Sequence, residues 1–204
     1  MKKLERSFYL RPTLVIAKDL IGKLFVRRLD SELLISRIVE VEAYRGSKDP
    51  ASHAFKGRTP RNEVMFGNGG HLYVYFTYGM HYCCNVVTEE AGIGHAVLLR
   101  GLEPLKGIDI MARNRRRTLL AEWDAYQVCN GPAKLCDAYA ITKLQNGIDL
   151  CGNSIWLAEG YTEVSRREIQ STARVGISQG VHHKWRFFLR NSPFVSAGRP
   201  SSLP

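Results

Sequence analysis

Apolar and polar positions change period several times along the chain. Leu14, Ala17, Leu20 and Ile21 recur at helical spacing, with Pro12 ahead of them and Gly22 behind, which predicts a short helix. Lys23 to Leu29 and Leu33 to Ala43 are apolar and β-branched around Asp30-Ser31 and predict a hairpin. In its second strand Ile35, Val39 and Val41 fall on one face, and Glu40 and Glu42 on the other. Gly46 to Gly70 is then rich in Gly, Pro, Asn and charge, an irregular stretch of the length that is usually functional or disordered. His71 to Tyr78 and Tyr82 to Thr88 predict a second hairpin around Gly79-Met80, and Ala96 to Leu102 a further strand. Pro104 and Pro132 each read as the first residue of a helix, the latter leading into Ala133, Leu135, Ala138 and Ile141 at helical spacing. Ser154 to Leu157, Ala173 to Ile177 and Trp185 to Leu189 supply late strands. Strands and helices do not alternate, which disfavours a doubly wound parallel sheet. The expected fold is a single α+β domain over residues 1–204: a mostly antiparallel, curved sheet with surrounding helices, a protruding β-hairpin, and a tail from Arg199 to Pro204.

Composition narrows the class. The 204 residues are 45% apolar and 24% charged, as in folded globular domains, which excludes disorder and collagen-like fibres. No apolar run approaches the roughly 18 to 20 residues of a membrane span, and Met1 to Arg6 is charged with no apolar segment of signal-peptide type after it, so a cytoplasmic location without a membrane partner is expected. The five cysteines are odd in number and none has C-x2-C spacing, which reads as reduced, buried thiols. His81, Cys83 and Cys84 are close in sequence but alternate across a strand, so no metal site is expected.

Charge brings in a partner. A net charge of +10 attracts polyanions, and its distribution is uneven. Arg113 to Arg117 carries four arginines, and Arg166 to Arg199 seven basic residues against Glu168, whereas Leu119 to Ser165 carries six acidic residues and only Lys134 and Lys143. One basic face and one acidic back are the reading that points to nucleic acid; a scattered solvated surface is the bland alternative.

Three features carry candidate chemistry. Glu42 and Tyr44 end a strand at the entrance to the long loop, where a carboxylate reads equally as an exposed strand residue or a partner of Arg37. Arg100 tips the balance, because a lone charge in Val97-Leu98-Leu99-Arg100-Gly101 needs a partner and the Glu40/Glu42 face supplies one; a buried glutamate beside an arginine stays ionised and suits a general base. Tyr73, Tyr75, Phe76, Tyr78 and Tyr82 crowd ten positions, with Tyr78 at the hairpin tip; core packing is the default inside the strand, and stacking on or wedging between bases is the functional reading at the tip. Gly57 to Asn62 is a basic loop, and Asn130-Gly131-Pro132-Ala133-Lys134 a helix start with a lysine, both suited to phosphates. Gly67-Asn68-Gly69-Gly70 fits neither the dinucleotide nor the Walker pattern, and no Gly-x-Ser-x-Gly or Cys/His nucleophile signature occurs, so no nucleotide cofactor is expected.

Together, Glu40-Val41-Glu42-Ala43-Tyr44, Ser52-His53-Ala54, Arg58-Thr59-Pro60-Arg61-Asn62, Met65-Phe66, His71 to Met80 with Asn85, Val97 to Arg100, Gly131 to Cys136 and Ala173-Arg174-Val175-Gly176 closely resemble the alkyladenine (3-methyladenine) DNA glycosylase family over roughly residues 7 to 196. The resemblance implies a monofunctional enzyme that flips alkylated or deaminated purines out of double-stranded DNA and hydrolyses the N-glycosidic bond to start base excision repair. It implies Glu42 as base for the water, Arg100 and the backbone carbonyl of Val175 as its co-anchors, Tyr44, His53 and Tyr75 as base-pocket residues, and Asn85 as the amide that helps exclude guanine. Tyr78 would enter the stack, and Met65, Arg58, Arg61 and Lys134 would contact DNA. No metal or organic cofactor is implied, and a monomer acting at the nucleoid is expected. Cys84 and Asn68-Gly69 depart from the family pattern and bear on base preference. A carbohydrate glycosidase pairing Glu40 with Glu42 and a non-catalytic nucleic-acid-binding module remain as rivals at this point.

Overall fold

A computed structural model of the protein describes residues 1–116 and 122–202; Arg117 of the arginine run and Leu203-Pro204 of the expected tail lie outside the described residues. In chain order the helices are α1 (Arg6–Tyr9), α2 (Thr13–Leu20), α3 (Ile108–Asn114) and α4 (Pro132–Ala138). The strands are β1 (Leu24–Leu29), β2 (Glu32–Arg45), β3 (Leu72–Thr77), β4 (His81–Thr88), β5 (His95–Lys106), β6 (Ile155–Ala158), β7 (Ile169–Thr172) and β8 (Arg186–Leu189). They form one open antiparallel sheet in the order β3-β4-β5-β2-β1-β6, with β8 joining β2 and β7 joining β8. The expected α+β architecture is therefore present.

The long strand β2 organises the sheet. Along one edge it pairs with β5 throughout; along the other, β1 covers its first half and β8 covers Glu40 to Glu42. Both edges being occupied, the backbone of β2 is paired at its centre, and with both faces of the sheet covered there every residue from Ile38 to Ala43 is buried, the two glutamates included. Alternation on β3 sends Leu72 and Val74 into the main core and Tyr73 and Tyr75 to the opposite face. That core also takes Leu20 of α2, Met111 of α3 and Leu135 of α4. Tyr139 closes it, its hydroxyl donating to Ser36 Oγ at 2.6 Å.

Two expectations at this level are corrected. Pro104 does not start a helix: it lies within β5 opposite Ser36, at a register shift, where the missing N–H is tolerated, and the helix starts only after Gly107, whose φ of 79° ends the strand. Ala173 to Ile177 is not a strand; β7 stops at Thr172, and the Val175 N–H is taken by a carboxylate instead of a strand neighbour. Pro132 does open a helix, as expected.

The Gly46 to Gly70 stretch is held by its own polar groups. Asn62 donates to the carbonyls of His53 (2.8 Å) and Gly57 (3.0 Å) and accepts from Thr59 N, fixing a compact loop above the sheet. Within the segment read as a tail, Pro200 bridges Val175 and Ser201 N donates to the Arg174 carbonyl. Among the described residues no helix is long and apolar enough to cross a membrane.

Leu135 is fully buried between α4 and the sheet. Leu135→Ala should lower unfolding free energy by about 2–5 kcal/mol with an unchanged denaturant slope, measured by urea titration.

Candidate active site

Two bulges bring the candidate acid and base partners together. Ile38 faces Leu102, Glu40 faces Gly101 and Val41 faces Leu99, so Val39 on β2 and Arg100 on β5 are the extra residues of their strands. A bulged residue is re-aimed out of the regular pleat. Arg100 is thereby turned between the two glutamates: its Nε donates to Glu40 Oε1 at 3.1 Å and its Nη1 lies 3.4 Å from Glu42 Oε2.

The two carboxylates differ in what saturates them. Glu40 Oε1 accepts from Arg100 Nε, Arg186 Nε (2.7 Å) and Ser196 Oγ (2.9 Å), and its Oε2 accepts from Ser196 N (2.6 Å). Four donors converge on the fully buried Glu40, and two of its three partner residues, Arg186 and Ser196, lie away from the cavity wall, so Glu40 is held as an interior ion-pair partner and is not presented as half of a two-carboxylate glycosidase site. Glu42 Oε1 accepts one bond, from Val175 N at 2.7 Å, and Oε2 accepts from the Tyr44 hydroxyl at 2.9 Å beside Arg100. Oε1 thus keeps a lone pair. Burial pushes the Glu42 carboxyl above the usual value of 4.5; Arg100, the Val175 N–H and the Tyr44 hydroxyl each pull it back, and Glu40 adds to the rise. All three of those partners are donors and favour the ionised form.

Behind this centre stands a second buried pair. Arg174 is fully buried and forked onto Asp49 (2.5 and 2.8 Å), donates to the Ala43 carbonyl at 3.0 Å, and lies 4.6 Å from the Tyr44 ring centroid. It holds the ring of Tyr44 and, through its own backbone, the adjacent Val175.

In front lies a cavity of about 360 Å³, walled by Tyr44, His53, Tyr75, Asn85, Arg100 and Val175. Glu42 sits one layer behind it, screened by its own three partners. The His53 ring meets Tyr75 edge-on at 4.5 Å, and its Nδ1 is 3.0 Å from the Tyr73 hydroxyl. Burial, and then the charge of Arg61, lower the His53 pKa, so its ring is neutral at pH 7. Tyr75 is raised by burial first and by its bond with Cys83, so it stays a phenol. Asn85 is buried, with its amide donating to the Tyr73 carbonyl at 3.3 Å.

The expected site residues divide accordingly. Glu42, Arg100, Val175, Tyr44, His53, Tyr75 and Asn85 converge on one cavity. Val175 bonds Glu42 through its amide nitrogen, which is a different atom from the carbonyl expected to anchor the water. Tyr78, 84% exposed with φ of 51°, stands at the hairpin tip on the cavity rim with exposed Met80 beyond it. Met65 is buried and walls the cavity, so it does not present a surface to a duplex. Arg61 sits at the mouth, 5.9 Å from the Tyr75 centroid and donating to the Phe76 carbonyl. Arg58 pairs with Glu63, and Lys134 donates to Asn130 Oδ1 at 2.7 Å. The basic face is smaller than the charge count implied: Arg174 and Arg186 are interior, and Arg166 pairs with Asp19.

Sequence reasoning missed the Asp49–Arg174 pair, Arg186 and Ser196. Arg186 was within reach, since it is a lone charge in an apolar strand just as Arg100 is. Asp49 and Ser196 stand in loops, where nothing in the surrounding pattern marks a residue as buried.

The family model described as methylpurine-DNA glycosylase (MPG) matches residues 7–193, nearly the whole chain and every cavity residue named above. The chain belongs to the methylpurine-DNA glycosylase family. As a methylpurine-DNA glycosylase it is a hydrolase of the N-glycosidic bond in DNA. Three curated relatives carry the name "Putative 3-methyladenine DNA glycosylase". That of Carboxydothermus hydrogenoformans is 48% identical, covering 95% of this chain and 98% of its own. That of Alkaliphilus oremlandii is 45% identical over the same shares, and that of Methanocella arvoryzae 43% identical over the full length of both.

In this glycosylase the interior ion pair beneath Tyr44 is also a stability element. Asp49→Ala leaves the Arg174 guanidinium buried without a counter-charge and should cost about 3–5 kcal/mol in urea unfolding. A loss below about 1 kcal/mol would mean that the arginine escapes to solvent.

Proposed function

We propose that this glycosylase removes alkylated or deaminated purines, of the 3-methyladenine, 7-methylguanine and hypoxanthine type, from duplex DNA by a water that Glu42 activates. The observation that carries the reading is a buried carboxylate with one oxygen still able to accept, held by Arg100, the Val175 N–H and the Tyr44 hydroxyl directly behind an aromatic cavity.

The duplex is bound through its phosphates, with Arg58, Arg61 and Lys134 among the cations that contact them. Tyr78 enters the stack, and the displaced nucleotide turns into the cavity, where Tyr44, His53 and Tyr75 offer ring faces and edges to a purine. Unstacking costs a few kcal/mol and less for a damaged base, so damage partly selects itself. Asn85, on the cavity wall, offers the amide that would help exclude a guanine exocyclic amine. Glu42 Oε1 takes a proton from water, the water oxygen bonds to C1′, and the bond from C1′ to the purine nitrogen breaks with its electron pair leaving on the base. An N-alkylated purine is cationic and departs neutral. Hypoxanthine needs a proton; of the two candidate donors, His53 or a water, the lowered His53 pKa favours the water. The ionised Glu42 also opposes the positive charge that develops on the sugar. Among the described residues no lysine lines the cavity to form a Schiff base, which fits a monofunctional enzyme with an abasic site as product. A monomer suffices for this chemistry, since all the groups invoked come from one chain.

Glu42→Gln keeps the shape and two of the three contacts but removes the base. Single-turnover release from duplexes carrying one hypoxanthine or one N-alkylpurine should fall about 10²-fold or more, with duplex affinity retained. Wild-type protein that binds both duplexes and releases nothing would leave a non-catalytic binding module.

The pH profile has a defined sign. Activity requires the Glu42 carboxylate, and burial holds its pKa above 4.5, so the rate should fall as pH drops through a limb centred above that value. A limb at or below 4.5 would remove Glu42 as the titrating base.

A further inference from the structure

The segment from Phe194 onward lies beyond the residues matched by the family model, yet it touches the catalytic centre at several points. Ser196, a buried residue, binds Glu40 with both its amide and its hydroxyl, and the same hydroxyl accepts from Arg100 Nη2 at 3.2 Å. Pro200 forms an antiparallel bridge with Val175, Ser201 N donates to the Arg174 carbonyl at 2.8 Å, and Ile177 N donates to Ser201 Oγ at 3.1 Å. Gly198 passes so close that a Cβ there would meet Val175 Cγ1 at 2.6 Å and Arg100 Nη2 at 3.2 Å. Phe194 anchors the start of the segment, edge-on to Tyr126 at 5.2 Å.

We infer that residues 194–201 form a positioning strap: Ser196 fixes the Arg100 guanidinium through Glu40, Gly198 and Pro200 fix the Val175 amide, and the strap thereby sets the geometry and basicity of Glu42 without touching substrate. Arg100 has two carboxylates to choose between, and a guanidinium free to rotate would fork onto one of them. Ser196 occupies Glu40 with two donors and gives Arg100 Nη2 an acceptor, so Nε faces Glu40 and Nη1 is left for Glu42. Val175 lies outside any strand, and the strap supplies its backbone neighbour.

This role for the strap rests on Glu42 being the base, and the two can be tested apart. Around Glu42 stand Arg100 from β5, Tyr44 and Glu40 from β2, the Val175 amide from the 173–177 segment, and Tyr75 from β3. The strap reaches Arg100 and Val175 directly. Ser196→Ala and Gly198→Ala should each slow single-turnover base release about ten- to a hundredfold, the scale of one charge-assisted hydrogen bond, with unchanged affinity for the lesion duplex. Loosening Arg100 removes part of what lowers the Glu42 pKa, so the acid limb should move to higher pH, and Ser196→Thr, which keeps the hydroxyl, should restore rate and limb. A merely structural contact would lower the melting temperature and leave the limb in place. In the free protein, the Arg100 Nε–H resonance should shift in both alanine variants. Folded variants with wild-type rate, limb and Arg100 resonance would overturn the strap. A shifted resonance in a protein whose wild type releases no base would uphold the strap and overturn the glycosylase reading of Glu42. Should Ser196→Ala not fold, Gly198→Ala, which removes no hydrogen bond, tests the strap by the same three readouts.

Discussion

Three carboxylates and three guanidinium groups share the interior behind the cavity: Glu40, Glu42 and Asp49 against Arg100, Arg174 and Arg186, none more than 6% exposed. Charges taken out of water are tolerated only where opposite charges and donors replace it, and removing one member leaves another uncompensated. The geometry of this cluster therefore constrains its surroundings. β2 must be long enough to reach β5, β1 and β8; β5 must bulge at Arg100; and the 173–177 segment must give up strand pairing to bring Arg174 and Val175 to their carboxylates. The balance is not uniform. Glu40 accepts from four donors and Asp49 accepts a bidentate arginine, whereas Glu42 accepts from two donors beside Arg100 and lies directly behind the cavity wall that those partners form. This difference in surroundings is what the proposal of Glu42 as the base rests on.

The same arrangement reconciles two demands on a base. A carboxylate that takes a proton from water benefits from a raised pKa, and burial supplies that; it must also be ionised when the substrate arrives, and Arg100 with two hydrogen-bond donors supplies that. The aromatic cavity in front contributes shape and ring faces, with a neutral His53 and phenolic Tyr75 at pH 7, while Arg100 at its base and Arg61 at its mouth bring full charge to it. At the hairpin tip Tyr78 adopts a left-handed backbone conformation and stands out into solvent.

Much of this was legible in the sequence. The hairpins, the antiparallel α+β class, the helix at Pro132 and the partnership of Arg100 with the Glu40/Glu42 face follow from alternation, turn residues and the cost of a lone charge in an apolar strand, all properties of residues near one another in the chain. The motif resemblance added the expected roles of Glu42, Tyr44, His53, Tyr75, Tyr78 and Asn85. What failed were judgements that depend on partners far along the chain. Pro104 reads as a helix start until β2 is seen to extend beside it; Arg174 and Arg186 count as surface charge until Asp49 and Glu40 are seen across the interior.

The sequence by itself determined the elements and the kinds of group available to the site, because period, turn chemistry and residue type are local. Only the tertiary structure chose between the two neighbouring glutamates as the proposed base. That choice rests on hydrogen bonds spanning 133 to 156 positions of chain, from Val175 to Glu42 and from Arg186 and Ser196 to Glu40, and a carboxylate's reactivity is set by how many donors converge on it in space.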